Sequence, residues 1–322
     1  MPSAPAQRRA TGGPAAPGSV APYARPSEHR RQRSLTIGLA ALAVALIAAA
    51  VLAKVLTSQT ARSAGSSRSI ASALARQARV RHLAAAWVSG NVNHGAAVSC
   101  DRVMCAALRG QGFPARNLRP IGPSGSYPLT SSIVVVTPSV AHQFGTSLAT
   151  SYAPTALAAF GPVGDRIYIR VIAPHGAAAY KSALRADQKV SQTYGTGLMT
   201  SAQITASQAA RTVLEAGRVD SRLLFVITAL AAEHPIDIVA FGGAHLGMTP
   251  GTPLRVVDLA ETDATAHLNG SAYLKWMEGL LKAQSATYRP ASWRTVSLAG
   301  GGQVLRIEFP APTPLGLLTP RS

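Results

Sequence analysis

The hydrophobic pattern changes character three times along the chain. Residues 1–34 show no apolar period; they are rich in Pro, Ala, Gly and Ser and carry six arginines against one acid, which predicts a disordered basic tail on the cytoplasmic side. LTIGLAALAVALIAAAVLA, residues 35–53, follows without a charge in 19 positions. At the helical rise this run extends roughly 28 Å, about the thickness of a hydrocarbon core, so a single transmembrane helix is predicted over 35–57. Val51, Leu52 and Ala53 have the small residues of a cleavage site. The apolar run and the stretch before it are too long for a removable leader, however, and an uncleaved signal anchor is the expectation. SQTARSAGSSR, residues 58–68, reads as a polar linker. Ile70, Leu74, Leu83 and Trp87 then recur among arginines at helical intervals. That spacing predicts a helix leading into a folded domain, with an anionic membrane surface as the alternative resting place.

From about residue 96 helical and strand periods alternate. Helices are predicted over 102–110, from Pro138 onward and over 175–194, with strands over 131–138 and 165–174 and a loop through RPIGPSGSYPLT. Beyond them the pattern gives two helices over 204–234 split by Gly217, strands at 236–241 and 254–259, a helix over 270–284, and strands at 293–298 and 303–309. Interleaving of this kind predicts an α/β or α+β domain in as many as two lobes, 96–175 and 176–310, followed by a loose Pro-rich tail over 311–322.

Charge and cysteine usage bear on location. Basic residues flank the apolar run on both sides, Arg25, Arg30, Arg31 and Arg33 before it and Lys54, Arg62 and Arg68 after it, so the positive-inside rule decides little. SCDRVMC holds Cys100 and Cys105, the two cysteines of the chain. In a secreted setting such a close pair is most simply a small disulfide, whereas in a cytosolic protein it stays as two thiols. The spacing is neither C-x-x-C nor a zinc knuckle. The pair favours an inside N-terminus and an extracytoplasmic bulk. A net charge of +18, with only five lysines among 31 basic residues, suggests a GC-rich bacterial genome. The positive charge is spread rather than gathered on a nucleic-acid motif, so membrane lipid, an anionic wall polymer or an envelope protein is the expected partner.

Motifs for chemistry are scarce. The chain has no G-x4-G-K-[ST], GTGLMT at 195 lacks the last glycine of a dinucleotide loop, and no H-E-x-x-H or G-x-S-x-G occurs. Asp258, Glu261 and Asp263 in DLAETD form the one dense acidic group of the outer part. Paired acids can hydrolyse glycosides when opposed in space; three in one short run more often mark a strand end and a helix cap.

The order helix, helix, strand, strand in ITASQAARTVLEAGRVDSRLLFVITALAAEHPIDIVAFGGAHLG and PLRVVDL resembles the D-Ala-D-Ala metallopeptidase and hedgehog-like fold over the last 110 residues or so. That resemblance implies a zinc site whose aspartate is Asp258. The family's histidine falls on Gly251 and its small glycine on Leu254, and the late strand VLRIEF carries Arg306 and Glu308 where histidines are expected. His245 is the nearby imidazole. His245 and Asp258 fall short of the three protein ligands of catalytic zinc, so the expectation is no metal, no cofactor and no catalytic residue, with Asp258, Arg306 and Glu308 lining a groove. The whole chain also resembles uncharacterised single-pass membrane proteins of actinobacteria, which implies a place and no activity. The expected function is therefore a non-catalytic, membrane-anchored envelope protein. The alternatives are a divergent peptidoglycan hydrolase and a membrane-tethered nucleic-acid binder.

Overall fold

The computed structural model describes residues 70–122, 130–242, 247–262, 270–298 and 302–318. The apolar run at 35–53, His245 and Asp263 lie outside them, and among the described residues no helix is long and apolar enough to cross a membrane. Ile70–Ser322 forms one compact unit of α+β architecture, with two mixed five-stranded sheets.

Helix α1 (residues 70–91) enters the unit and buries Val80, Ala84, Trp87 and Val88. β1 (Val98–Asp101) runs directly into α2 (Arg102–Gly110), because Asp101 is extended and its carboxylate accepts from the Met104 N–H. Met104, Cys105 and Leu108 then face inward. β2 (Leu118–Ile121), β3 (Ile133–Val136) and α3 (Pro138–Phe144) follow. Proline at its first position and Thr137 as cap start α3, and Gly145, at φ 57°, stops it. A π-helical turn at Leu148–Tyr152 leads to the hairpin of β4 (Thr155–Phe160) and β5 (Ile167–Val171).

The first sheet has the order β2-β1-β3-β5-β4, parallel across its first three strands and antiparallel across the rest. IVVV of β3 is buried at every position, as a central strand covered on both faces requires. Ile133 and Val135 meet α1 and α2 on one side. Val134 and Val136 meet Val140 and Leu148 on the other.

Helix α4 (Ala177–Leu198) leads to the second sheet: β6 (Ile204–Ala206), α5 (Gln208–Glu215), α6 (Ser221–Ala231), β7 (Ile236–Gly242), β8 (Val256–Glu261), α7 (Gly270–Ala283), β9 (Ser292–Ser297) and β10 (Gln303–Glu308). The order is β6-β7-β8-β10-β9, with only β6 and β7 parallel. Alternation places Val257, Leu259, Leu305 and Ile307 against Leu214, Leu223, Ile227, Tyr273 and Met277. It turns Asp258, Arg306 and Glu308 to the opposite face. At Gly195 of α4 an added Cβ would lie 2.6 Å from the Leu214 carbonyl oxygen, so the glycine is what lets α4 lie on α5.

Two connections join the sheets. Gly247 accepts from the Ala159 N–H at 2.7 Å and Thr249 donates to Leu157 at 3.1 Å, adding the β7–β8 connection to the β4 edge. Past β10 the chain returns to the start of the unit: Ala311 donates to Asn91 and accepts from Asn93, Thr313 donates to the Asp220 carboxylate, and the Gly316 N–H donates to Asp187. The tail read as loose from its prolines is thus fastened as far as Gly316, through single hydrogen bonds that leave no period in the sequence.

Candidate ligand-binding clefts

Asp258, read from the sequence as a strand-end acid, lies within β8 and is held by a base within β10. Asp258 on β8 stands opposite Arg306 on β10. Arg306 forks its carboxylate, Nε to Oδ1 at 2.8 Å and Nη2 to Oδ2 at 2.7 Å. Hydrogen bonding to Asp258 is the main reason the Arg306 pKa is raised. Glu308 lies two residues along the same face and accepts from Arg294 Nη2 at 2.8 Å and Ser292 Oγ at 3.2 Å. Arg294 and Arg306 face each other in the β9–β10 register. Like charges so placed repel, and each is matched here by its own acid. The three groove residues are therefore brought to one face as two ion pairs, and metal binding at Asp258 would have to displace a two-pronged guanidinium. Among the described residues no three His, Cys, Asp or Glu side chains gather to hold a metal ion.

Cys100 and Cys105 form a disulfide that ties the end of β1 to the first turn of α2. Beside it opens a cleft of about 540 Å³ lined by Arg81, Asp101, Arg102, Thr137, Ser139 and Asp165. It lies outside the carboxyl ends of β1, β2 and β3, the place where open sheets with parallel strands receive ligands. Its central acid is occupied within the fold: Asp101 caps α2 through Oδ1 and accepts from Thr137 Oγ1 through Oδ2.

A second cleft, of about 400 Å³, opens between the end of α1 and the β8–β10 side of the second sheet, with Ser89, Asn93, His94, Arg255, Ser292 and Glu308 on its walls. Arg255 is 3% exposed. Its Nη1 donates to the Asn91 and Phe309 carbonyls, both at 3.1 Å, and its guanidinium carbon lies 6.0 Å from the Trp87 ring centroid. Burial lowers its pKa to about 10, opposed by Asp220, deepened by Arg222 and opposed again by Glu308, so it remains a cation at neutral pH. Three buried polar atoms here have no hydrogen-bond partner: Arg255 Nε, Ser89 Oγ and Trp87 Nε1. In the sequence Arg255 is marked only by being a charge directly preceding the apolar pair Val256–Val257 inside PLRVVDL, too slight a signal to single it out. No protein-family model, no curated protein and no solved structure matches the chain.

Proposed function

We propose that the protein is a non-catalytic binding module tethered to a membrane by residues 35–57, with the α+β unit on the extracytoplasmic side, where it engages an anionic wall polymer or an envelope protein. The observation that carries this reading is the Cys100–Cys105 disulfide. Disulfides persist in oxidising compartments and are rare in reducing ones, and this one follows an uncharged 19-residue run by fewer than 50 residues of chain. The excess of arginine over acid suits a polyanion. The Asp258–Arg306 fork supports binding over hydrolysis, since it engages the carboxylate to which the metallopeptidase resemblance assigns a zinc.

Two measurements test the reading. Cells are quenched in acid and free thiols alkylated before electrophoresis with and without reductant; the expected result is an oxidised Cys100–Cys105 pair in the full chain, and a fully alkylated pair overturns the extracytoplasmic placement. The purified chain is then pelleted with isolated peptidoglycan at low and high salt. Retention at high salt supports a shaped wall-binding site, loss at high salt reduces wall binding to charge, and no pelleting at either leaves an envelope protein as the partner. Stoichiometric zinc in chelator-free protein, or hydrolysis abolished by Asp258→Ala, would replace binding with catalysis.

A further inference from the structure

Three arginines, Arg222 at the start of α6, Arg255 just before β8 and Arg306 on β10, are held in fixed positions, and two of them use the same edge of the guanidinium. Arg222 directs Nε and Nη2 onto Asp220, at 2.9 and 2.7 Å, and Arg306 directs Nε and Nη2 onto Asp258, at 2.8 and 2.7 Å. This pair of parallel N–H groups is the prong geometry that matches a carboxylate. Arg255 is the third. Its Nη1 is spent on the Asn91 and Phe309 carbonyls, which fix the plane of the group, while Nε is buried without a partner and, among the described residues, no acceptor meets Nη2.

The local charges leave Arg255 without an anion of its own. Asp220 is matched by Arg222 at 2.7 Å, and Glu308 is matched by Arg294 at 2.8 Å. Both acids influence Arg255 through space, yet each is hydrogen-bonded elsewhere. A guanidinium removed from water without a counter-charge is costly, and an unpartnered buried donor adds about 1–3 kcal/mol. The Arg255 side chain lines a cleft of about 400 Å³, within the range of small-molecule sites, about 300–1,000 Å³. Ser89, on the same wall, brings a second buried polar atom with no partner, Oγ. Glu308 and Ser292, also on the wall, set a carboxylate and a hydroxyl near the cation.

We propose that this cleft binds the carboxylate of a small ligand, a free amino acid or the C-terminus of a short peptide, on the Arg255 guanidinium through Nη2. A single guanidinium with one uncompensated charge suits a monoanion better than a phosphate dianion, which draws several cationic or backbone donors. Glu308, also lining the cleft, suits an ammonium or amide N–H carried by the same ligand. This site goes beyond the tethering and wall binding proposed above and is independent of the side of the membrane on which the unit lies.

The test is a calorimetric titration of the full chain, purified in detergent, with four probes: N-acetyl-alanyl-alanine, the same dipeptide as its C-terminal amide, alanine, and inorganic phosphate. Saturable binding of either free acid, with the amide at least about 10-fold weaker because one charge-assisted pair is lost, is the expected result. A preference for the dipeptide identifies a peptide end, and a preference for alanine a free amino acid. Equal affinity for acid and amide, binding of phosphate alone, or no binding of any probe overturns the proposal. The comparison of acid and amide uses the unaltered protein, so it stands even where a variant misfolds. Arg255→Lys keeps the charge and a donor for the two carbonyls but removes Nη2; it should weaken the acid about 10-fold while leaving the oxidised disulfide and the far-ultraviolet circular dichroism unchanged. An unchanged affinity in this variant would also overturn the assignment.

Discussion

Asp220→Ala is expected to be the most damaging single substitution of a charged residue in the unit. The carboxylate is fully buried and accepts four hydrogen bonds: from the Arg222 N–H at 2.9 Å, Arg222 Nε at 2.9 Å, Arg222 Nη2 at 2.7 Å and Thr313 Oγ1 at 2.8 Å. Loss of the cap on α6 costs about 1 kcal/mol. Breaking a buried ion pair by removing one partner costs about 3–5 kcal/mol, because the other charge stays desolvated. Arg222 is 7% exposed and would retain only the Pro310 carbonyl, at 2.7 Å, and the Phe309 ring, 4.8 Å from its guanidinium carbon. These contributions share atoms and do not add, so a loss of about 4 kcal/mol is expected. For a unit of this size that lowers the thermal midpoint by about 8–16 °C. The assay is thermal unfolding followed by far-ultraviolet circular dichroism, alongside Thr313→Val, which removes one hydrogen bond to a charge and should cost about 1.5–3 kcal/mol. Adding Arg222→Met to Asp220→Ala should recover much of the loss, since an apolar chain of similar length needs no counter-charge. A loss below about 1 kcal/mol for Asp220→Ala, or no recovery in the double variant, would refute the buried-charge explanation.

Other substitutions probe the remaining features. Replacing both Cys100 and Cys105 by alanine opens a loop closed across a sequence separation of 5, so chain entropy predicts a loss of only about 2 kcal/mol, read as a shift in denaturation midpoint; reductant should reproduce it in the parent and leave the variant unaffected. Gly195→Ala drives a methyl into the Leu214 carbonyl and should cost about 1–3 kcal/mol, whereas Gly197→Ala, with open space at its Cβ, should stabilise by about 0.5–1 kcal/mol; equal effects would mean that α4 is not seated on α5. Burial raises the Asp187 pKa against the hydrogen bond from Gly316 that lowers it. The folded state therefore holds this proton more tightly than the unfolded chain, and stability falls as pH rises from the unfolded carboxyl value through the folded one. Asp187→Asn keeps the acceptor for Gly316, should unfold at a higher temperature at neutral pH, and should lose that advantage once acid protonates the parent; a variant less stable at neutral pH contradicts this.

The amount of fold legible in the sequence followed the length of each signal. Helix α2 coincides with its predicted span, residues 102–110, because an aspartate cap, a turn of apolar residues and a glycine end are all local. Pro138 marked the start of α3 for the same reason. Four strands were missed. VSCD of β1 and ITA of β6 are too short to show a period, and ITA reads as the beginning of the helix that follows it. TALAAF of β4 is poor in β-branched residues. LRPI of β2 contains Pro120, which only the edge position of the strand accommodates. At the groove, the metallopeptidase resemblance picked out Asp258, Arg306 and Glu308, yet the pairing of Asp258 with Arg306 depends on register between strands more than 40 residues apart. Arg255 was overlooked because its meaning comes from the carbonyls of Asn91 and Phe309, groups that a residue-type pattern does not display.

The return of residues 309–316 to Asn91, Asn93, Asp187 and Asp220 also sets a schedule. Polypeptides are made from the N-terminus, and the residues that latch α1, α4 and α6 together are made after β10. Each sheet can close as soon as its strands have emerged, but Ala311 and Thr313 arrive only after both are complete. A chain interrupted by a stop codon just beyond β10 would carry every strand and helix and still lack its fastening: Arg222 would lose the Pro310 carbonyl and Asp220 its hydroxyl donor from Thr313. The unit thus depends for its fastening on residues that come after its last strand.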